Sequence, residues 1–223
     1  LSKATEFGAT NPLESPKAVP ITATFTQDSS YAYVPIKPGG LLVINMNTFQ
    51  VEKAFPMNIV NTNLMGLLSL DDTKIYVNGG SLDGTNQVYM FDTTTHEVLA
   101  YESTNGLDAH GLDLTPDGKE LWITNRNSSS ISIIDTESMK VKENISLIGT
   151  APDLLGISPD GVYAFITLNG SKAADAGTIP EQKDLPGISV VDIKKREIIK
   201  ILLQSEGNDS ETQNFHGLGI RLL

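Results

Sequence analysis

The feature that most constrains this chain is a pattern that recurs four times. Thr26 opens TQDSSYAYVPI, Ser69 opens SLDDTKIYVNG, Thr115 opens TPDGKELWITN and Ser158 opens SPDGVYAFITL, at spacings of 43, 46 and 43 residues. Each copy has Asp at its third position (Asp28, Asp71, Asp117, Asp160) and an aromatic at its eighth (Tyr33, Tyr76, Trp122, Phe165). A second apolar run follows and closes on a short polar residue: LLVIN at Asn45, VYMFD at Asp92, ISIID at Asp135, ISVVD at Asp192. A fixed period of this length marks an array of one supersecondary unit, each copy burying its apolar face against the next.

Alternation identifies the unit as a sheet. In KELWITN, Leu121 and Ile123 point one way while Glu120, Trp122 and Thr124 point the other. The third unit has four such runs, HGLDLT, KELWITN, SISIID and KVKENISL, bounded by Pro, Asp, Gly and Asn. Helical spacing is absent over any long window. Four-stranded units of this period predict an all-β fold, a β-propeller. The units run over 18–57, 58–105, 106–149 and 150–207. At 208–223, HGLGIRLL (His216–Leu223) matches HGLDLT (His110–Thr115) and predicts the first strand of a fifth. Residues 1–17 lie outside the repeat, with at most one short strand at Ala4–Phe7.

The fourth unit departs from the others. From Ser158 to Asp192 is 34 residues, against 19, 23 and 20 elsewhere, and the excess is an insert at Leu168–Gly187. Insertions in repeat arrays project from one face and often shape a binding surface, although a passive loop accounts for the composition equally simply. The turn GGSLDGTN (Gly79–Asn86) reads as a hairpin loop, because its oxygen ligands have the wrong spacing for a calcium loop.

These strings resemble the YVTN-repeat propellers, a family that includes archaeal surface-layer proteins and secreted or periplasmic bacterial propellers. WITN at Trp122–Asn125 and FITL at Phe165–Leu168 stand where that family has YVTN, and SPDG and IDT recur in place. YVNG at Tyr76–Gly79 and YVPI at Tyr33–Ile36 are looser matches. The resemblance covers about Val19 to Leu223. It implies a ring of about seven blades, within the usual range of closed propellers. It also implies an extracytoplasmic location and little about a substrate. The expectation is therefore of part of a longer polypeptide, or of half a ring completed by a second copy, with open sheet edges available for self-association.

A net charge of −11 argues against a nucleic-acid surface, which needs clustered Lys and Arg. With no Cys, disulfides and thiolate metal sites are excluded. No apolar run is long enough for a membrane span. The residues given carry no signal peptide, which fits one cleaved or left out.

Three His occur. His96 falls in TTTHEV, a turn expected to be solvent-exposed. His110 and His216 share one column, just before the innermost strand, where the fourth unit has Asp153 and the first two have Ile21 and Leu64. Residues in that column line one mouth of a propeller channel. His110, Asp153 and His216 are thus the candidate ligands for a divalent metal such as zinc, copper or iron. The plainer reading, from the family resemblance, is that His-Gly there caps backbone groups. The paired carboxylates Asp71 and Asp72 fall in a turn, the aromatic column suits packing between blades, and the Asp column suits turns. Sequons stand at Asn127, Asn144, Asn169 and Asn208, all in turns, the insert or an outer strand, and are candidates for glycosylation.

No G-x-S-x-G elbow, phosphate-binding Gly loop or H-E-x-x-H occurs, so no catalytic residue and no cofactor is assigned. The expected function is that of a non-enzymatic extracytoplasmic propeller, a cell-surface scaffold, adhesion or protein-interaction module whose partner is a protein or surface polymer. The alternative is an enzyme or enzyme subunit, a lactonase-like hydrolase or redox partner, using the channel mouth.

Overall fold

The structure is a computed structural model, and it describes residues 19–37, 39–61, 64–80, 86–146, 151–169, 186–203 and 218–220. The chain divides into two compact units, Leu1–Ser103 and Thr104–Leu223. Among the described residues every regular element is a strand. The predicted strand at Ala4–Phe7, the Ser81–Thr85 part of the GGSLDGTN turn and most of the Leu168–Gly187 insert lie outside the described residues.

In the first unit, one sheet holds β1 (Val19–Pro20), β2 (Thr24–Phe25), β3 (Tyr31–Lys37), β4 (Gly40–Asn45) and β5 (Gln50–Pro56). Both β1 and β2 pair with β3. The next sheet runs in order through β6 (Met65–Leu68), β7 (Lys74–Gly79), β8 (Gln87–Asp92) and β9 (Val98–Ser103). The second unit repeats the plan with β10 (Ala109–Leu114), β11 (Glu120–Asn125), β12 (Ser130–Asp135) and β13 (Lys140–Ser146). Its other sheet is β14 (Pro152–Ile157), β15 (Tyr163–Leu168), β16 (Gly187–Asp192) and β17 (Glu197–Leu203). Among the described residues all pairings are antiparallel and, apart from β1 with β3, join chain neighbours; the four-stranded sheets are the blades of a β-propeller.

Turn chemistry explains where the strands begin. Asp28, Asp71, Asp117 and Asp160 each accept the hydroxyl of the Ser or Thr two residues earlier, at 2.7, 2.6, 2.7 and 2.6 Å. Each also accepts a backbone N–H two residues on, at 2.9 to 3.2 Å. These bonds hold the Asp28 and Asp71 carboxyls at about 2 and lower those of Asp117 and Asp160. Asn45, Asp92, Asp135 and Asp192 do the same for the turn before each fourth strand, accepting N–H groups at 3.0, 2.8, 2.9 and 2.9 Å. A register shift recurs one step before each of those residues, at Val43/Ile44, Met90/Phe91, Ile133/Ile134 and Val190/Val191. Such a bulge increases local twist.

The middle strands are buried on both faces: all six residues of β11 and five of six in β12. One core joins Tyr33, Leu41, Val43, Phe55 and Val60 to Ile75, Val77, Tyr89 and Phe91 of the next sheet. In the second unit Trp122, Ile131, Ile133 and Ile145 meet Leu155, Ile157, Ala164, Ile166 and Val191. The aromatic column thus packs between blades at Tyr33 and Trp122. Polar ties accompany it. The Thr22 and Thr24 hydroxyls donate to the carbonyls of Leu64 and Gly66 at 2.7 and 2.9 Å, and Lys53 meets Glu97 at 2.5 Å. In the second unit Ile157 N–H donates to Asp113 at 2.8 Å. Leu218 and Ile220 lie against Gly156 of β14, where a Cβ would stand 2.9 Å from the Ile220 side chain.

Trp122 is the largest wholly buried side chain. Trp122→Ala should cost about 4 kcal/mol by urea denaturation, and Trp122→Phe less than half of that, because a ring still fills the space between the sheets.

Candidate functional site

His110 and Asp153, assigned to one repeat column, come together at the starts of β10 and β14. Both strands carry a register shift there, between Ala109 and Leu112 and between Pro152 and Leu155. The shift lets consecutive side chains turn toward the neighbouring sheet. Gly111 permits the close approach: a Cβ would sit 2.7 Å from the Asp153 carbonyl oxygen and from Leu154 Cα. Its N–H donates instead to the Thr124 hydroxyl at 2.8 Å, and that hydroxyl donates to the Asp153 carbonyl.

Around this seam lies a chain of buried charges. His110 Nε2 stands 2.9 Å from Asp153 Oδ1, and Nδ1 stands 3.6 Å from Asp108 Oδ1. Asp108 Oδ2 accepts Arg126 Nε at 2.6 Å, and its carbonyl accepts the Arg126 N–H at 2.9 Å. Asp108 itself has φ 60, a left-handed conformation that Asp tolerates better than most residues. Asp153 is 0% exposed and receives the Asn169 amide at 3.1 Å on Oδ2.

The electrostatics follow from burial. An isolated buried carboxylate is costly, so a cation must accompany it. Burial disfavours a charged His110, but contact with Asp108 and Asp153 outweighs it and raises the imidazole above its ordinary value. Burial likewise pushes Asp108 up, and His110 and Arg126 more than offset it, leaving the carboxyl lowered. With His110 protonated, two carboxylates face two cations.

That geometry leaves the imidazole nitrogens aimed at carboxylates. Among the described residues, no group of three or more His, Asp or Glu is arranged to hold a metal ion. His216 lies outside the described residues, as does the sequon at Asn208. Of the other sequons, Asn144 is exposed, Asn127 is half-buried, and Asn169 is buried with its amide engaged by Asp153.

His96 is a correction. Rather than facing solvent, it is 5% exposed, with Nδ1 2.7 Å from the Tyr33 hydroxyl and its ring edge-on to Tyr31 at 4.3 Å. Burial lowers its imidazole below the ordinary value. Arg196 occupies the same column in the fourth blade. It lies 5.0 Å over the Trp122 ring and reaches both Glu120 oxygens at 2.7 Å, with Lys142 also on Glu120 at 2.8 Å. Beside this pair a groove of about 400 Å³ is lined by Asp117, Lys119, Glu120, Lys142, Asp160 and Ile193.

Sequence reasoning missed Asp108, Arg126 and Asn169 as members of the cluster. Asp108 stands two residues before His110 but ahead of β10 and at φ 60, so its place beside the imidazole depends on that turn and not on strand alternation. The approach of Arg126 and Asn169 depends on pairing across strands.

No family model matches this chain, and no curated protein sequence matches it. Among solved structures it is similar to the Kuenenia stuttgartiensis hydrazine synthase, with a TM-score of 0.67 and 19% identity over 83% of this chain and 49% of that one. The chain therefore spans about half the length of the solved chain it matches. At that identity the likeness is one of fold, which agrees with the blades described above.

His110→Ala leaves Asp153 buried without its cation and should cost roughly 3–5 kcal/mol in urea unfolding at pH 6. Because the folded-state value of His110 is raised, its contribution is complete below the unfolded value of 6.5 and fades as pH rises through the higher folded value. His96 has the opposite sign, so the difference between wild type and His110→Ala isolates His110. That difference should shrink between pH 6 and pH 9; an unchanged difference contradicts a protonated His110.

Proposed function

We propose that this chain is a non-enzymatic, extracytoplasmic propeller module of the YVTN-repeat type, serving as a scaffold, adhesion or interaction unit at a cell surface. The observation that carries this reading is the fate of the buried charges. Asp108, His110, Arg126 and Asp153 are committed to one another, and Glu120 to Arg196, Lys142 and Trp122. A general base or nucleophile has to be open to a substrate, whereas these groups join neighbouring strands and sheets. The repeated strings quoted above support the family assignment, and the charge of −11 suits a soluble surface rather than a polyanion partner.

A second reading rests on one observation: the solved structure of similar fold is, by its name, an enzyme. On that reading the His110–Asp153 pair at the strand starts serves a redox or hydrolytic subunit, with a divalent metal held by His110, Asp153 and His216.

One set of measurements separates the two. The scaffold reading expects the purified chain to cosediment with envelope fragments of its source cells, to be metal-free by elemental analysis, and to lack lactonase activity. It expects His110→Ala to leave cosedimentation unchanged at a temperature where the variant is folded. Bound metal, or hydrolysis, that disappears with His110→Ala while the circular dichroism spectrum is retained would overturn it in favour of the enzyme.

A further inference from the structure

The contact between the sheet of β1 to β5 and the sheet of β6 to β9 is made without a charge pair at the place where the two sheets of the second unit use one. In each unit, the residue that ends the turn before the later sheet's fourth strand has positive φ, His96 at 58° and Arg196 at 60°. Each side chain turns onto the preceding sheet, His96 onto β3 and Arg196 onto β11. Arg196 reaches both carboxylate oxygens of Glu120 at 2.7 Å and lies over Trp122. His96 meets Tyr31 and Tyr33, which stand in the same two columns of the repeat. A phenol thus faces the imidazole where a carboxylate faces the guanidinium.

That setting suits a neutral ring only. His96 is buried, with Nδ1 2.7 Å from the Tyr33 hydroxyl, and its Nε2 is buried with no hydrogen-bond partner. When the ring takes up a proton, Nδ1–H donates to the Tyr33 oxygen, and that hydroxyl turns to donate to the Asp92 carbonyl 3.5 Å away. Nε2–H has no such acceptor, and a buried cation left unpaired is costly. The charges around the ring are Glu52 and Lys53 of β5 and Asp92 and Glu97 of its own turn, while Asp72 bears on Tyr33. Each acid but Glu52 is engaged elsewhere: Glu97 by Lys53 at 2.5 Å, Asp92 by the Thr94 and Thr95 N–H groups, and Asp72 by the Gln27 N–H. Burial outweighs these carboxylates and lowers the imidazole below its ordinary 6.5.

We propose that the seam between the two sheets of the first unit is an acid-operated latch, closed while His96 is neutral and opened locally when that imidazole takes up a proton. Opening uncovers the apolar side chains that the two sheets share, among them Tyr33, Phe55, Ile75 and Phe91. The sign follows from linkage. The open state binds the proton more tightly than the closed one, so the seam has its full strength above 6.5 and weakens as pH falls below that value. One linked proton raises the opening constant by at most about tenfold per pH unit. The corresponding seam in the second unit does not respond in this range. Burial opposes the charge on Glu120, but Arg196, Lys142 and Trp122 outweigh it and leave the carboxyl lowered. The latch is independent of the scaffold reading.

Hydrogen exchange read by mass spectrometry, corrected for the pH dependence of the intrinsic rate, follows the opening segment by segment. Between about pH 7 and about pH 5, exchange in peptides covering β3 and the Asp92–Val98 turn should rise about tenfold. Exchange in β11, and the fluorescence of Trp122, the single Trp of the chain, should stay unchanged. His96→Arg should open the seam already at neutral pH. Adding Tyr31→Glu to it should close the seam at both pH values, because the pair then has the chemistry of Arg196 with Glu120. His96→Asn, which takes positive φ readily, should lose the acid response. Wild-type exchange indifferent to pH, an acid response kept by His96→Asn or by the double variant, or His96→Arg as protected as wild type at neutral pH would each overturn the inference. So would a double variant no better protected than His96→Arg. None of these outcomes bears on metal content or envelope binding.

Discussion

The constraint on which this structure depends is two-sided burial. A middle strand such as β11 has no solvent face: its six residues are all buried, including Glu120, Thr124 and Asn125. A blade with such strands cannot stand alone in water, because the apolar side chains that face the next sheet have no partner within the blade. Trp122 and Ile133 are covered only when β14 to β17 lie beside them. The sheet-to-sheet contact is therefore the unit of stability, and the single blade is a component of it.

Burial on both faces also dictates the polar chemistry. Every buried donor, acceptor or charge needs a partner, and in a stack of sheets that partner is often on the next blade. Glu120 is tolerable inside because Arg196 and Lys142 reach it from two elements. Asp153 is tolerable because His110 and Asn169 approach it from β10 and from the end of β15. Gly111 serves the same end by removing the Cβ that would hold the strands apart. The cluster at the strand starts is thus intelligible as a consequence of packing.

Much of the fold was legible in the chain because it depends on near neighbours. Asp28, Asp71, Asp117 and Asp160 satisfy groups two residues away, so four copies of the residue announce four copies of the turn. The column logic also placed His110 with Asp153 before any coordinates. It failed for His96, because a turn that is polar by composition was taken for a solvated one. What buries His96 is the neighbouring blade's Tyr33, 63 residues away. Asn169 likewise reads as a sequon and proves to be a buried partner of Asp153.

By itself the sequence determined the period, the strand limits and the turn residues, since these follow from hydrogen bonds and alternation over a few positions. Only the tertiary structure decided that His96 meets Tyr33, that Arg196 meets Glu120, and that Arg126 joins Asp108. It also decided that the His110 imidazole is held between two carboxylates, which raise it above its ordinary value. The physical reason is distance along the chain: Arg196 reaches Glu120 across 76 residues. No local pattern encodes a contact that exists only once two sheets are packed face to face.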